Sequence, residues 1–287
     1  MIKNILTYTK ERFPVIPALL FSFLFGFAGI AYANEDSNNF GKILIVSLMM
    51  FLFLLRIRLW DELKDFQYDS KHHESRPVQK GILSLSIIKR VALVILFVEI
   101  SMQLFLPFQT LPLFLLAVAY SFLMFKNFYI KDLENKSFVL FLFSHQIIFI
   151  IYILYTLSVG SSYFFIPKSS QDIWIILALF LPTLIYEVGR KVKHRISPKG
   201  YATNDTYIYR WGEKRSYAFL LFLYCLQALS ISLVIHRLDF LVILQMLAIV
   251  IIAILYFIKR KMIIDTSDKW SIALGMYGLI ILNFYLL

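Results

Sequence analysis

The chain has 287 residues, of which 60% are hydrophobic and 16% are charged, and its formal net charge is +11. Soluble domains contain about 45–50% apolar and about 25% charged residues, so this composition excludes a disordered chain, a coiled coil and a conventional water-soluble enzyme. The single cysteine, Cys225, excludes a disulfide framework and a cysteine-rich zinc site.

Nine apolar stretches follow one another along the chain. They lack the two-residue alternation of barrel strands, and backbone polar groups in hydrocarbon need partners within their own element, so the stretches predict transmembrane helices. The predicted spans are Pro14–Ala33, Ile43–Trp60, Val91–Leu106, Leu111–Phe125, Phe138–Leu157, Ile173–Glu187, Tyr217–Ile235, Leu241–Ile258 and Trp270–Leu287.

Lysine and arginine divide unequally between the two sides of these spans. With the N-terminus in the cytoplasm, the inner segments 1–13, 56–90, 126–137, 188–216 and 259–269 hold 26 of the 29 basic residues, and only Lys42, Lys168 and Arg237 lie outside. Cytoplasmic loops carry such an excess, so we expect the N-terminus inside and the C-terminus outside. The positive charge is then explained by topology and contact with anionic lipids, and no nucleic-acid partner is expected.

The first long inner loop contains three aspartates at four-residue spacing, Asp61, Asp65 and Asp69. They drift by only about 80° around a helix, so they share one face. Clustered carboxylates repel one another unless a cation neutralises them, and carboxylates together with substrate phosphates are typical Mg²⁺ ligands. Arg76 and Lys80 follow closely and are suited to phosphate oxygens. The simpler alternative is a solvated loop in which aspartates and lysines pair along a helix.

The pattern Asp61-x-x-x-Asp65-x-x-x-Asp69, closed by Arg76-Pro77, resembles the first aspartate-rich motif of the UbiA superfamily of intramembrane prenyltransferases. The resemblance implies an all-α integral membrane protein in which residues 1–287 form one domain, with nine helices around a central cavity and two catalytic loops on the cytoplasmic side. It also implies Mg²⁺ as cofactor. One departure is Trp60, which stands where the family pattern has asparagine.

The second long inner loop departs further from the family pattern. Glu187 matches the first acidic position of the second motif, but Lys191 stands where another carboxylate is usual. The resemblance therefore implies a metal-ligand role for Glu187, while Arg190 and Lys191 are expected to bind diphosphate and replace part of a second metal. The alternative is an ordinary ion pair between Glu187 and Lys191. Asp205 is a candidate ligand or acceptor base.

The implied reaction is transfer of a prenyl group from an isoprenyl diphosphate to an aromatic or lipid-like acceptor in the membrane. Mg²⁺ on Asp61, Asp65, Asp69 and Glu187 would stabilise the leaving diphosphate. An allylic cation is stabilised by aromatic faces, for which the candidates are Tyr68, Tyr186, Tyr207 and Tyr209. Two alternatives stay open: transfer of another phosphate-activated group, such as phosphoribosyl, to a lipid phosphate, and a non-catalytic lipid-binding or transport relative.

Several polar residues fall inside the predicted spans, where they are costly and usually face the interior of a helical bundle. Glu99 and Gln103 lie four residues apart, and we expect either interhelical hydrogen bonds or a lining of the acceptor pocket. Cys225 is expected to be a small buried residue. The expected location is the inner membrane of a bacterial cell.

Overall fold

The computed structural model describes residues 2–34, 40–130, 137–196, 200, 202–203 and 205–287. Within these ranges the chain is helical, with no strand beyond a single bridge between Ile196 and Ala202. In chain order the helices are α1 Ile2–Arg12, α2 Val15–Ala33, α3 Phe40–Lys64, α4 Phe66–His72, α5 Leu85–Gln103, α6 Leu111–Phe125, α7 Phe138–Ser161, α8 Ser170–Gly189, α9 Tyr207–Trp211, α10 Glu213–Val234, α11 Phe240–Ile258, α12 Arg260–Asp265 and α13 Ser267–Leu286.

Eight of the nine predicted spans correspond to helices long and apolar enough to cross a membrane. The all-α membrane fold is therefore confirmed. The remaining predicted span corresponds to α5, which has 19 residues but includes Lys89, Arg90 and Glu99. Its outer face is nonetheless apolar, with Val94 and Phe97 exposed. A ninth crossing by α5, like the cytoplasmic side of the loops, stays a prediction.

The first of two compact units comprises Met1–Phe165. In it α2 packs on α3 and α7, α3 packs on α5, and α6 packs on α7. Phe25, Met49 and Tyr155 are among its fully buried side chains. A Cβ atom on Gly26 would lie 2.5 Å from Oγ of Ser47, so the absence of a side chain at Gly26 is what allows α2 and α3 to approach this closely.

The second unit comprises Ile166–Leu287. Its centre is α8, which packs on α10 and α13, and α10 packs in turn on α11. The N-terminus of α8 is fixed by a capping box between Ser169 and Asp172, which satisfies backbone N–H groups that a helix start leaves unpaired. At the interface of α10 and α13, Nε2 of Gln227 donates to the carbonyl oxygen of Gly275 at 3.1 Å.

The structure differs from the sequence expectations at several points. Residues of the first inner segment form α1, and α3 continues past the predicted end of the span at Trp60 to Lys64. Arg56, which was counted with the inner segment, lies inside α3 and is buried. Cys225 is exposed on α10, so its predicted burial was wrong. For Gln103, by contrast, one of the two stated expectations is observed: it makes an interhelical bond, since the hydroxyl of Tyr155 donates to its Oε1 at 2.6 Å. Among the basic residues counted above, Lys131, Lys136 and Lys199 lie outside the described residues.

Candidate functional site

The three aspartates of the first loop lie on successive turns of one helical path. Helix α3 ends at Lys64, Asp65 is the residue between the helices, and α4 carries Asp69. The i to i−4 backbone bonds continue across this junction, because the amide of Asp65 donates to the carbonyl of Asp61 at 2.9 Å and the amide of Asp69 to that of Asp65 at 2.8 Å. The helical path that the four-residue spacing predicts therefore continues beyond the end of a membrane-length helix.

Asp61 and Asp65 each keep part of their surface exposed to solvent. The side chain of Asp61 is 36% exposed, and its ion pairs are long, 3.9 Å to Nη1 of Arg58 and 3.7 Å to Nζ of Lys64. Asp65 also keeps an exposed edge. Desolvation by the surrounding protein raises the pKa of Asp65 to about 6; Lys64 opposes this, and the like charges of Asp61 and Asp69 add to it. These carboxylates thus lie where a cation would be stabilised.

Asp69 has a different environment. It is 3% exposed, and one carboxylate oxygen accepts a hydrogen bond from Nη1 of Arg76. Nη2 of Arg12 lies 3.9 Å from the same oxygen. The loop then turns back, and the amide of Ile82 donates to the carbonyl of Pro77 at 2.9 Å. Two arginines therefore already compensate the charge of Asp69.

The turn after Arg76 is held by apolar packing. Val78 and Leu83 are buried in one cluster with Tyr8 of α1 and with Leu59 and Trp60 of α3. Lys80 is exposed at the tip of this turn. Packing thus fixes the backbone on either side of Lys80 and leaves its ammonium accessible to a ligand.

Sequence reasoning missed a supporting cluster around Glu62. This buried carboxylate accepts hydrogen bonds on Oε1 from Nε of Arg12 at 2.8 Å and from Nη2 of Arg58 at 2.6 Å. Burial, together with the like charge of Arg58, lowers the pKa of Arg12. The sequence offered one signal of this cluster: Tyr8 and Arg12 lie four residues apart, on one face of a helix. The segment that contains them, residues 1–13, was interpreted only as part of the cytoplasmic side. The hydrogen bond from Arg12 therefore attaches α1 to residues 61–69, the aspartate segment, through Glu62.

In the second unit the candidate residues surround the end of α8. Oε2 of Glu187 lies 2.6 Å from Nη2 of Arg190, and Oε1 lies 2.7 Å from Nζ of Lys191. Lys191 is only 9% exposed. Burial lowers the pKa of Lys191, and the carboxylate of Glu187 opposes that shift. The predicted residues are therefore brought together as a carboxylate between two cations, with one net positive charge.

Asp205 closes the second loop. Its carboxylate accepts hydrogen bonds from Nη1 of Arg195 and from Oγ1 of Thr203. The amide of Thr203 also donates to the carbonyl of Arg195 at 3.0 Å, and the amide of Tyr207 to that of Lys191 at 3.1 Å. Asp205 thus lies at the base of a folded turn that leads back to Lys191.

Within the described ranges, no group of three or more His, Cys, Asp or Glu side chains is arranged to hold a metal ion. A cage of protein ligands alone is therefore not preformed there. Mg²⁺, however, usually keeps several waters and binds one or two carboxylates plus substrate phosphates. Asp61 and Asp65 fit that donor set, since neither carboxylate is committed to a short ion pair in the way that Asp69 is.

These features define a helical integral membrane protein with a carboxylate-rich segment at one helix end and a lysine- and arginine-rich segment at another. The sequence profile of the UbiA prenyltransferase family matches residues 19–283. The chain therefore belongs to the UbiA prenyltransferase family, as the aspartate motif predicted. Comparison with curated proteins gave no significant match.

Several solved structures share this fold. A digeranylgeranylglyceryl phosphate synthase is 16% identical, covers 99% of both chains and has a TM-score of 0.61. An apo UbiA homologue from Aeropyrum pernix K1 is 13% identical over 93% of this chain and 96% of that chain, with a TM-score of 0.62. A UbiA homologue from Archaeoglobus fulgidus bound to GPP and Mg²⁺ is 13% identical over 96% of this chain and 99% of that chain, with a TM-score of 0.55. At these identities the likeness establishes the fold.

Proposed function

We propose that this protein transfers a prenyl group from an isoprenyl diphosphate to a lipophilic acceptor within the membrane, in a Mg²⁺-dependent reaction. The observation that carries the proposal is the pair of partly exposed aspartates, Asp61 and Asp65, one turn apart at the end of a membrane-length helix. Family membership supports prenyl transfer in general, and a structural relative binds GPP with Mg²⁺.

In this proposal Asp61 and Asp65 hold the metal, and a bound Mg²⁺ would stabilise negative charge on the leaving diphosphate. The bond between the allylic carbon and the diphosphate oxygen breaks, the acceptor's electron pair forms the new bond to that carbon, and the acceptor loses a proton. Asp69 and Glu187 remain in the proposed ligand set, but each would first have to exchange an arginine or lysine partner for the ion.

The proposed diphosphate contacts are Arg76 and Lys80 in the first unit and Arg190 and Lys191 in the second. Arg76 can use the fork of its guanidinium on phosphate, and its contact with Asp69 holds it in place beforehand. Lys191 acts as a point charge. For Asp205 we propose a positioning role, because Arg195 and Thr203 occupy its carboxylate.

We also propose that the protein lies in a bacterial inner membrane with its N-terminus on the cytoplasmic side. The support is the uneven distribution of lysine and arginine along the sequence. Both functional loops and α1 then belong to the cytoplasmic side, where soluble isoprenyl diphosphates and Mg²⁺ are available.

A second candidate is transfer of another phosphate-activated group, such as phosphoribosyl, to a lipid phosphate. The observation that favours it is Lys191, a buried cation at a position where the family pattern has a carboxylate. A site with fewer carboxylates and more cations suits a donor or acceptor that carries more phosphate. A transfer assay that is run in parallel with geranyl diphosphate and with phosphoribosyl diphosphate as donor distinguishes the two candidates.

The test uses the purified full chain in lipid nanodiscs with radiolabelled geranyl diphosphate and a membrane lipid extract as the source of acceptor. We expect label to enter the lipid fraction with Mg²⁺, to stop in EDTA and to resume when Mg²⁺ is restored. Asp61→Asn and Asp65→Asn are expected to lose turnover, while Glu74→Gln, an exposed carboxylate of the same loop, keeps it. Full turnover in either aspartate variant, or transfer that ignores chelation, would reject the proposal.

A further inference from the structure

A buried arginine joins three helices of the first unit one turn before the aspartate segment. Arg56 of α3 and Glu99 of α5 are each 1% exposed, and Nε of Arg56 lies 2.7 Å from Oε2 of Glu99. Nη1 of Arg56 also donates to Oγ of Ser121 on α6 at 3.0 Å. The guanidinium is therefore held by the hydrogen bonds that it donates to acceptors on two neighbouring helices.

The same guanidinium stacks on the residue that precedes Asp61. Its central carbon lies 4.5 Å from the ring centroid of Trp60. On α6, Phe122 and Phe125 contact the indole, with ring centroids 4.7 and 5.7 Å away. Trp60 is thus fixed between Arg56 and two aromatic rings.

The packing around Trp60 continues to Asp61. A small cavity of about 10 Å³ is lined by Trp60, Asp61 and Ser121, together with side chains of Lys64 and Phe125. Ser121 therefore contacts Arg56 on one side and the space beside Asp61 on the other. A change in the position of Trp60 would alter the packing against Asp61 directly.

The energetics of the Arg56–Glu99 pair indicate that its main role is not to stabilise the fold. Removing two charges from water costs about as much as, or more than, their attraction returns, so replacing a whole buried pair with apolar side chains is often neutral or stabilising. Charged side chains inside membrane helices are rare, and they usually mark function. The cation–π contact, by contrast, gives a specific geometry to one side chain.

We propose that Arg56, held by Glu99, is a positioning residue: it fixes Trp60 and thereby the orientation in which Asp61 meets Mg²⁺ and the diphosphate. This inference rests on the proposed metal role of Asp61. Supporting groups beyond the direct ligands typically change metal affinity by about 10–100-fold.

The test separates positioning from stability by removing both charges at once. The double variant Arg56→Met with Glu99→Met keeps side-chain volume and leaves no unpaired charge, so we expect a melting temperature near that of the parent. The Mg²⁺ concentration at half-maximal thermal stabilisation, measured with geranyl diphosphate present, is expected to rise about tenfold or more. Arg56→Lys keeps the charge but loses the planar stack, and an intermediate rise is expected.

Ser158→Ala is the matched control, because it removes a buried side-chain hydrogen bond to the carbonyl of Leu154 in the same unit and leaves the side chains of Arg56, Glu99 and Trp60 unchanged. This control should leave the Mg²⁺ concentration at half-maximal thermal stabilisation, the Mg²⁺ midpoint, unchanged. If the double variant does not fold, Trp60→Leu, which retains the ion pair, must show the raised midpoint instead. If folded variants keep the Mg²⁺ midpoint of the parent protein, the positioning role of Arg56 is overturned and the proposed function is not. If Mg²⁺ and geranyl diphosphate fail to stabilise the parent protein itself, the proposed function is overturned as well.

Discussion

Nζ of Lys191 lies 2.7 Å from Oε1 of Glu187, four residues earlier on the last turn of α8. The position at which a second metal ligand would be expected therefore carries a cation, and the preceding carboxylate holds that cation in place. Because Arg190 shares the same carboxylate, the three side chains keep one net positive charge. Such a group is better suited to a phosphate than to a second Mg²⁺.

Lys191→Met is expected to raise the KM for geranyl diphosphate by about 10–100-fold, because a charge-assisted hydrogen bond contributes about 1.5–3 kcal/mol. Glu187 keeps Arg190 as a partner in this variant, so the end of α8 should stay folded. Lys193→Met is the control, since the ion pair that Lys193 makes among the described residues is a long one, 3.8 Å to Asp268. Steady-state kinetics checks the prediction, and an equal effect of the two substitutions would contradict it.

Asp69 and Arg76 are expected to act as one unit. Asp69→Asn and Arg76→Gln should each raise the KM for the donor. The double variant should raise it little beyond either single variant, so the two effects on kcat/KM should fall short of additivity by about 0.5–3 kcal/mol. The Mg²⁺ midpoint should change less than in Asp61→Asn, because Asp69 is already paired with Arg76. Additive effects, or a Mg²⁺ midpoint shifted as far as in Asp61→Asn, would instead assign Asp69 to the metal.

The parts that the sequence predicts well are those with a regular spacing. Apolar runs of membrane length predicted the helices, and four-residue spacing predicted the helical path through Asp61, Asp65 and Asp69. The spacing did not predict that Asp69 is buried while Asp65 is exposed. Sequence spacing is silent about contacts between distant helices, so the pairing of Arg56 with Glu99, 43 residues apart, could not be predicted. The exposure of Cys225 was mispredicted for a related reason: the position of a residue within a span does not reveal which face of the helix it occupies.

Helix α1 is expected to stabilise the aspartate segment through Arg12. Arg12→Met removes one partner of the buried carboxylate of Glu62 and one of the cations near Asp69. Backbone amides of residues 65–82 should then exchange hydrogen faster, and the melting temperature should fall. Hydrogen exchange read by mass spectrometry checks this expectation. Lys10→Met, at an exposed site on the same helix, is the control, and equal protection in the two variants would contradict a role for Arg12.

Gly189 is expected to be essential for the packing of α8 on α13. A Cβ atom at this position would lie 1.8 Å from Oγ and 2.5 Å from Cβ of Ser271, and overpacking of this kind costs about 1–3 kcal/mol. Gly189→Ala should therefore lower the melting temperature and, because Glu187 lies two residues earlier on α8, also raise the KM for the donor. Adding Ser271→Gly removes both clashing atoms, although it also removes a hydrogen bond to the hydroxyl of Tyr224. The double variant should therefore melt close to Ser271→Gly alone, and losses that simply add would show that the contact with Ser271 is not the cause.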